Sequence, residues 1–118
     1  MVRYRRNRGC GGTYFFTVTL RDRRSDLLFR RFDALRDAWR SARRRVPHKV
    51  IAAVILPEHL HAVIRMEDGR DDYSRLWQDI KKGFTRRIRS PGDSRSPWQA
   101  RFWEHTIRNA ADLQAHVD

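Results

Sequence analysis

Hydrophobic residues alternate in some segments of the chain and recur every three to four positions in others. The β-branched and aromatic residues at 14–20 (YFFTVTL) predict a strand, and a continuous apolar run at 49–56 (KVIAAVIL) predicts a central strand. Pro57 and Glu58 then turn the chain into a third strand at 60–66. The segment 98–108 (WQARFWEHTIR) predicts a fourth strand.

Helical spacing accounts for most of the remaining apolar residues. The first predicted helix ends near Pro47, and Asn109 is a good N-cap for a last helix that has barely begun when the sequence ends at Asp118. The buried face of the first helix is expected to hold Leu28, Phe32, Leu35, Trp39, Ala42 and Val46. That of the second is expected to hold Tyr73, Leu76, Trp77, Ile80, Phe84 and Ile88.

The order β-α-β-β-α-β predicts the α+β class with a ferredoxin-like split β-α-β sheet, followed by the start of a C-terminal helix. Both main helices then cover one face of an antiparallel sheet, and the other face is left open for function. We expect residues 1–12 to form a basic flexible arm and residues 13–118 a single domain, with a poorly ordered loop at 89–97 (RSPGDSRSP).

The net charge of the chain indicates which class of molecule it binds. The chain has 118 residues, with 26 basic against 14 acidic residues and a net charge of +12. This favours a polyanion, nucleic acid before an anionic membrane. Arginine pairs with phosphate through a planar fork and stacks on bases, so the predominance of arginine also favours nucleic acid. A G+C-rich genome is an alternative reason for the high Arg/Lys ratio, although it does not explain the net charge.

Cysteine and hydropathy indicate the compartment. Cys10 is the only cysteine, which excludes an intramolecular disulfide and a thiolate zinc site and favours a reduced setting. No apolar run approaches the roughly 20 residues of a membrane span, and the N-terminus lacks the apolar core of a signal peptide. We therefore expect a cytoplasmic protein with no membrane partner, associated with the nucleoid when it binds DNA.

Two histidines stand out in the third predicted strand. Because strand residues alternate sides, His59, His61, Val63 and Arg65 share the open face, while Leu60, Ala62, Ile64 and Met66 face the core. Two imidazoles that point the same way suit adjacent positions on one divalent cation, and Arg65 suits a phosphate beside it. The spacing alone is weak evidence, because two partly exposed histidines on a strand would look the same.

The segment 54–66 (VILPEHLHAVIRM) resembles the His-hydrophobe-His signature of the HUH single-strand DNA transposases. Three further segments resemble the REP-associated tyrosine transposase branch of that family in the same order: YFFTVTL, RLWQDIKKGFTR (75–86) and WQARFWEHTIR. The resemblance covers about residues 12–118. Several motifs in the correct order are far more specific than the histidine pair alone.

The resemblance implies a ferredoxin-like catalytic domain in which His59 and His61 hold Mg²⁺ or Mn²⁺ against the scissile phosphate. It also implies a tyrosine nucleophile, single-stranded DNA with a hairpin as substrate, and REP-like elements as targets. Related transposases dimerise with a shared active site, which leaves a homodimer open for this chain.

The family's tyrosine belongs on the helix that starts at Asn109, and we expect it beyond Asp118. Tyr14 is expected in the core, Tyr73 in packing or capping of the second helix, and Tyr4 in base stacking, so no residue here is assigned as catalytic. A truncated gene, a fragment of a longer product, and a copy that binds DNA without cutting it remain alternatives. The last of these is a non-catalytic remnant or regulator.

His105 or Glu104 is a candidate third metal ligand, whereas His48 and His116 are expected at the surface. Any exposed member of the set Trp77, Trp98 and Trp103 would stack on unpaired bases, but core packing is expected instead, above all for Trp77. An RNA-binding ferredoxin-like domain is a weaker alternative, since the RRM signature is missing. Basic clusters occur at 3–8, 40–45 and 81–89, and the predicted DNA contacts are Arg65, Lys81, Lys82, Arg86, Arg87, Arg43 and Arg44.

Overall fold

The computed structural model describes residues 12–117. Its strands are β1 (Thr13–Thr19), β2 (His48–Ile55), β3 (His59–Met66) and β4 (Trp103–Thr106). Its helices are α1 (Leu27–Arg30), α2 (Phe32–Arg45), α3 (Tyr73–Ile88) and α4 (Ala110–Val117). The expected basic arm lies outside the described residues except for Gly12, and its flexibility stays a prediction.

The four strands form one sheet in the order β2-β3-β1-β4, with every neighbouring pair antiparallel. Thr17 of β1 lies opposite His61 of β3 on one side and opposite Trp103 of β4 on the other. This strand order, with helices joining β1 to β2 and β3 to β4, is the ferredoxin-like split β-α-β arrangement. The predicted α+β fold class is therefore confirmed.

The core lies between one face of the sheet and helices α2 and α3. Gly83 of α3 permits close packing of these helices, because a Cβ atom at this position would lie 3.1 Å from the Cβ of Ala38 in α2. The alternation predicted for β3 is confirmed, and α3 has the predicted buried face. Residues buried in the core include Phe16, Val18, Leu60, Ala62, Ile64, Met66, Leu76, Trp77, Ile80 and Phe84.

Strand β2 was predicted to be central, and this prediction is wrong because β2 lies at the edge of the sheet. The apolar residues of β2 lie on both faces of the sheet. Val50 and Ile55 lie on the side of α2, whereas Val54 pairs with His61 on the other face and is 54% exposed. A continuous apolar run therefore does not require burial on both faces.

The first predicted helix is divided in two. Arg31 has φ −120° and ψ 41°, outside the helical region, and separates α1 from α2. The break changes the direction of the side chains that follow, so Phe32 is 46% exposed and its predicted burial is wrong. Leu28 and Leu35 are buried as predicted.

Strand β4 is shorter than predicted. Thr17 pairs with Trp103, and the next contact is an isolated bridge between Leu20 and Trp98. Three steps along β1 thus face five steps along the other segment, and the two additional residues interrupt the ladder. Trp98 still packs in the core, with its ring centroid 5.3 Å from that of Phe84.

The second face of the sheet is partly covered by α4. The ring of His116 in this helix lies 4.7 Å from the ring of Phe15 in β1. Val63, on the same face, is only 2% exposed. Asn109 caps the helix as predicted, since its Oδ1 accepts a hydrogen bond from the Asp112 N–H at 2.8 Å. Within residues 12–117 no helix has the length and apolar character needed to cross a membrane.

Candidate functional site

His59 and His61 lie side by side on the face of the sheet opposite α2 and α3. Alternation in β3 produces this arrangement, because the intervening Leu60 is fully buried in the core. The two imidazole centroids are 4.8 Å apart and the rings are nearly perpendicular, at 82°. The structure thus has the pair on the predicted face, partly exposed.

Each histidine has a hydrogen-bond partner at Nδ1. The Nδ1–H of His59 donates to Glu58 Oε1 at 2.8 Å. In the tautomer that leaves Nε2 free, the Nδ1–H of His61 donates to Thr17 Oγ1 at 2.9 Å. Partners of this kind fix the ring orientation of metal-binding histidines and select the nitrogen that coordinates. The donor set therefore fits a divalent cation bound through the two Nε2 atoms.

The protonation states agree with this arrangement. Burial lowers the pKa of His61, the positive charge of a protonated His59 lowers it further, and Glu58 partly opposes both effects. The pKa of Glu58 is lowered chiefly by its hydrogen bond with His59, with a further contribution from Arg23, whose Nε lies 2.9 Å from Glu58 Oε2. A neutral His61 beside an ionised Glu58 is the state that a metal cation requires.

The two candidates for a third ligand occupy different surroundings. His105 lies opposite Phe15 and on the same face as His61, but its Nε2 is 3.0 Å from both carboxylate oxygens of Asp112. Glu104 lies opposite Phe16 on the helix side of the sheet. Among residues 12–117 neither forms a cluster of three close ligand atoms with the histidine pair.

Sequence reasoning did not identify Asp112, and it placed His116 at the surface. Asp112 interacts with His105, with the backbone N–H of Arg108 at 2.9 Å, and with Nδ1 of His116 at 3.3 Å. The i, i+4 spacing of Asp112 and His116 was the available signal, because it places both on one side of a helix. His48 is also not a surface residue: it is 6% exposed and accepts a hydrogen bond from Trp39 Nε1 at 2.9 Å.

The tyrosines within residues 12–117 lie on the helix side of the sheet. Tyr14 is 6% exposed, and its ring centroid is 4.6 Å from that of Tyr73. Burial raises the pKa of Tyr73, and Glu104 adds to this effect. Both have the packing role that was predicted, while Tyr4 lies outside the described residues.

The predicted DNA contacts lie on two sides of the molecule. Only Arg65 shares the sheet face of the histidine pair, and its Nε donates to Thr13 Oγ1 at 3.4 Å. Arg87 donates to the carbonyl of Gly83 on its own helix at 3.0 Å. The others belong to the helix layer, with Lys81, Lys82, Arg86 and Arg87 on α3, and Arg43 and Arg44 on α2.

A basic groove of about 670 Å³ runs between α3 and residues 96–102. Lys81 lies in it, donates to the Gln99 carbonyl at 2.9 Å, and has its pKa lowered by burial. Arg21, Arg75 and Lys82 also line this groove. Its positive charge suits a phosphate chain.

Exposed aromatic surface occurs near the histidine pair. Trp103 is 56% exposed, and its ring is parallel to that of His105 within 5° at a centroid distance of 6.1 Å. The expected core packing is confirmed for Trp77 and Trp98, which are almost fully buried, and is wrong for Trp103. Of the three candidates for base stacking, Trp103 alone presents its ring to solvent.

Comparison with known proteins identifies the family. A REP-associated tyrosine transposase of Escherichia coli K12 is 46% identical over 118 residues, which are 100% of this chain and 69% of the relative. The chain belongs to the REP-associated tyrosine transposases. A Haemophilus influenzae protein assigned to the same family is 34% identical over 128 residues, covering 100% of this chain and 73% of that protein. No family model matches the chain.

Two solved structures are similar to this chain. One is a REP-associated tyrosine transposase bound to a REP hairpin, with a TM-score of 0.84 and 45% identity over 99% of this chain and 68% of that one. A transposase-family protein of Deinococcus radiodurans R1 has a TM-score of 0.65 at 15% identity, covering 94% of this chain and 92% of that one. The second similarity concerns the fold alone.

Proposed function

We propose that this chain binds hairpin-bearing single-stranded DNA and takes part in metal-assisted cleavage and joining of REP-like DNA. The proposal rests first on family membership and on the structural relative, which is bound to a REP hairpin. The net charge of +12 and the basic groove between α3 and residues 96–102 suit the same partner.

The observation that carries the proposal is the oriented pair of imidazoles. Glu58 and Thr17 occupy the Nδ1 atoms of His59 and His61, which leaves the two Nε2 atoms for Mg²⁺ or Mn²⁺. When bound, such a cation polarises a phosphoryl oxygen and stabilises the leaving oxygen. Arg65, four positions after His61 and on the same face, supplies a positive charge for the phosphate chain.

The DNA path that we propose crosses the histidine face and continues onto the helix layer. Trp103 would stack on an unpaired base next to the pair, and Arg65 would contact a phosphate. The other proposed phosphate contacts are Lys81, Lys82, Arg86, Arg87, Arg43 and Arg44. If about six contacts form on a single strand, the slope of log affinity against log salt is about −4.

The nucleophile in this proposal is a tyrosine beyond Asp118. Its hydroxyl oxygen bonds to the phosphorus as the bond to the 3′ oxygen breaks, which leaves a 5′-phosphotyrosine link and a free 3′-OH. No residue of this chain is proposed to attack the phosphate.

The test combines binding with covalent chemistry. Fluorescence anisotropy compares the binding of this chain to a labelled hairpin-bearing single strand and to an unstructured strand of equal length. A denaturing gel with Mn²⁺ tests for a covalent adduct of a protein extended to include the tyrosine. We expect tighter binding of the hairpin strand. Equal, weak binding of both strands would contradict the proposal. Tight binding without an adduct from a protein extended to include the tyrosine would favour the non-catalytic regulator instead.

A further inference from the structure

We propose that His105, Asp112 and His116 form a second metal site, for a divalent transition cation such as Zn²⁺, which fixes α4 to the sheet. The three residues come from two elements. His105 projects from β4 on the face that bears the histidine pair, and Asp112 and His116 lie one turn apart on α4. The proposal does not depend on the proposed DNA chemistry.

The ligand atoms already converge. One ligand atom from each of the three residues lies within 4.8 Å of the other two, and within residues 12–117 this is the only such group of three. The His105 Nε2–H donates to both Asp112 carboxylate oxygens at 3.0 Å. His116 Nδ1 lies 2.8 Å from the Asp112 backbone carbonyl, which is its hydrogen-bond partner, and 3.3 Å from Asp112 Oδ1. Ligands around tetrahedral Zn²⁺ are separated by roughly 3.3 Å. Small side-chain adjustments therefore suffice to admit the ion.

The donor set favours transition metals. Two imidazole nitrogens and one carboxylate oxygen suit Zn²⁺, Co²⁺ or Mn²⁺ better than Mg²⁺ or Ca²⁺, which prefer oxygen ligands. Burial raises the pKa of Asp112, but hydrogen bonds from the Arg108 N–H and from His105 outweigh this effect. The net result is a pKa below the ordinary value, so the carboxylate is held ionised. The metal would replace the proton on His105 Nε2, and binding would release protons.

The surroundings also suit a bound ion. The side chains of His105, Asp112 and His116 are 26%, 13% and 24% exposed, so the cluster is sheltered yet open on one side to a fourth ligand. The Arg108 side chain competes for the carboxylate, with Nε 3.7 Å from Asp112 Oδ2. It is 74% exposed and can turn towards solvent when a cation arrives.

Such a metal would add tertiary contacts to α4. Residues 110–117 of this helix include no fully buried side chain. Its contacts with the sheet include those of His116, which packs against Phe15, and of Asp112, which binds His105. A metal that joins these residues to β4 would hold the helix beside the histidine pair, because Phe15 is also stacked on His61 at 5.6 Å.

The experiment titrates Zn²⁺ into the untagged 118-residue chain in which His59→Ala and His61→Ala remove the other pair. Isothermal titration calorimetry should give one Zn²⁺ per chain. Zn²⁺ at about 100 times its dissociation constant should raise the Tm by roughly 10 °C, and amide exchange in residues 110–117 should slow. Absence of saturable binding in this background would overturn the proposal.

Two further variants, Asp112→Asn and His116→Gln, keep polar side chains of similar size. Each should weaken Zn²⁺ affinity by more than tenfold, because loss of an outer-shell partner alone costs about 10–100-fold in metal affinity. Circular dichroism and the Tm without metal confirm that each variant is folded. Unchanged Zn²⁺ affinity in both would refute the site. Mn²⁺ binding by Asp112→Asn, which retains His59 and His61 but lacks a ligand of the second site, tests the proposed function separately.

Discussion

The same face of the sheet carries two groups of candidate metal ligands. One is the pair His59 and His61, and the other is the cluster of His105, Asp112 and His116. Phe15 lies between the groups, stacked on His61 and in contact with His116. The pair arises from one strand, and each member has an outer partner at Nδ1. The cluster arises from a strand and a helix, and its members bond to one another. Spacing within one strand thus orients two imidazoles side by side, whereas tertiary structure is needed to bring a candidate ligand from another element close to them.

The largest effect is expected when one histidine of the pair is removed. His61→Ala should abolish Mn²⁺ binding at the pair, because a single remaining imidazole is a weak site. Mn²⁺ affinity is measured by electron paramagnetic resonance. Val54→Ala is the matched control, since Val54 lies opposite His61 on the same face and is 54% exposed. Unchanged Mn²⁺ binding in His61→Ala would show that the cation binds elsewhere.

The outer partner of the pair should matter less than the ligand itself. Glu58→Gln keeps the shape of the side chain but replaces the carboxylate that accepts from His59 Nδ1. We expect a loss of about 10–100-fold in Mn²⁺ affinity, with His59 still present. Glu67→Gln is the control, because Glu67 is exposed just after β3. If both variants bind Mn²⁺ like the unmodified chain, Glu58 does not orient the metal-binding ring.

Base stacking is a smaller effect and concerns Trp103 of β4, on the same face of the sheet as the histidine pair. Trp103→Ala should reduce affinity for single-stranded DNA by about 1–3 kcal/mol if one unpaired base stacks on the indole. Phe29→Ala is a matched control, since Phe29 is also 56% exposed but belongs to α1 and not to the sheet. Anisotropy titrations at fixed salt measure the difference. An equal change in the two variants would argue against a specific stacking site.

The sequence predicted the parts of the fold that depend on one element. Helical periodicity predicted α3, and alternation predicted which face of β3 bears His59 and His61. The edge position of β2 was missed because an apolar run records burial but not the number of neighbouring strands. Asp112 was missed because its partner His105 is on another element, seven residues away. Its role depends on how α4 folds back onto the sheet.

His48 is buried in the core and is not a candidate metal ligand. Its titration gives the smallest effect that we expect. Burial lowers its pKa below the ordinary 6.5, with Arg43 adding to the effect and the bond to the Val46 carbonyl opposing it. Below pH 6.5 the unfolded chain therefore binds more protons at this residue than the folded chain does. Its contribution to stability is complete above that pH and is lost as the pH falls through the lowered folded pKa.

Protonated His48 also cannot accept the hydrogen bond from Trp39 Nε1. Urea unfolding between pH 7 and about pH 5 should show this decline in the unmodified chain and a shallower one in His48→Gln, whose amide can accept from Trp39 and donate to Val46. The pKa of His61 is also lowered, so the same titration of His61→Ala separates the contribution of His61 to the pH dependence from that of His48. An identical pH dependence in His48→Gln would mean that acid destabilises the fold through the exposed histidine face rather than through its core.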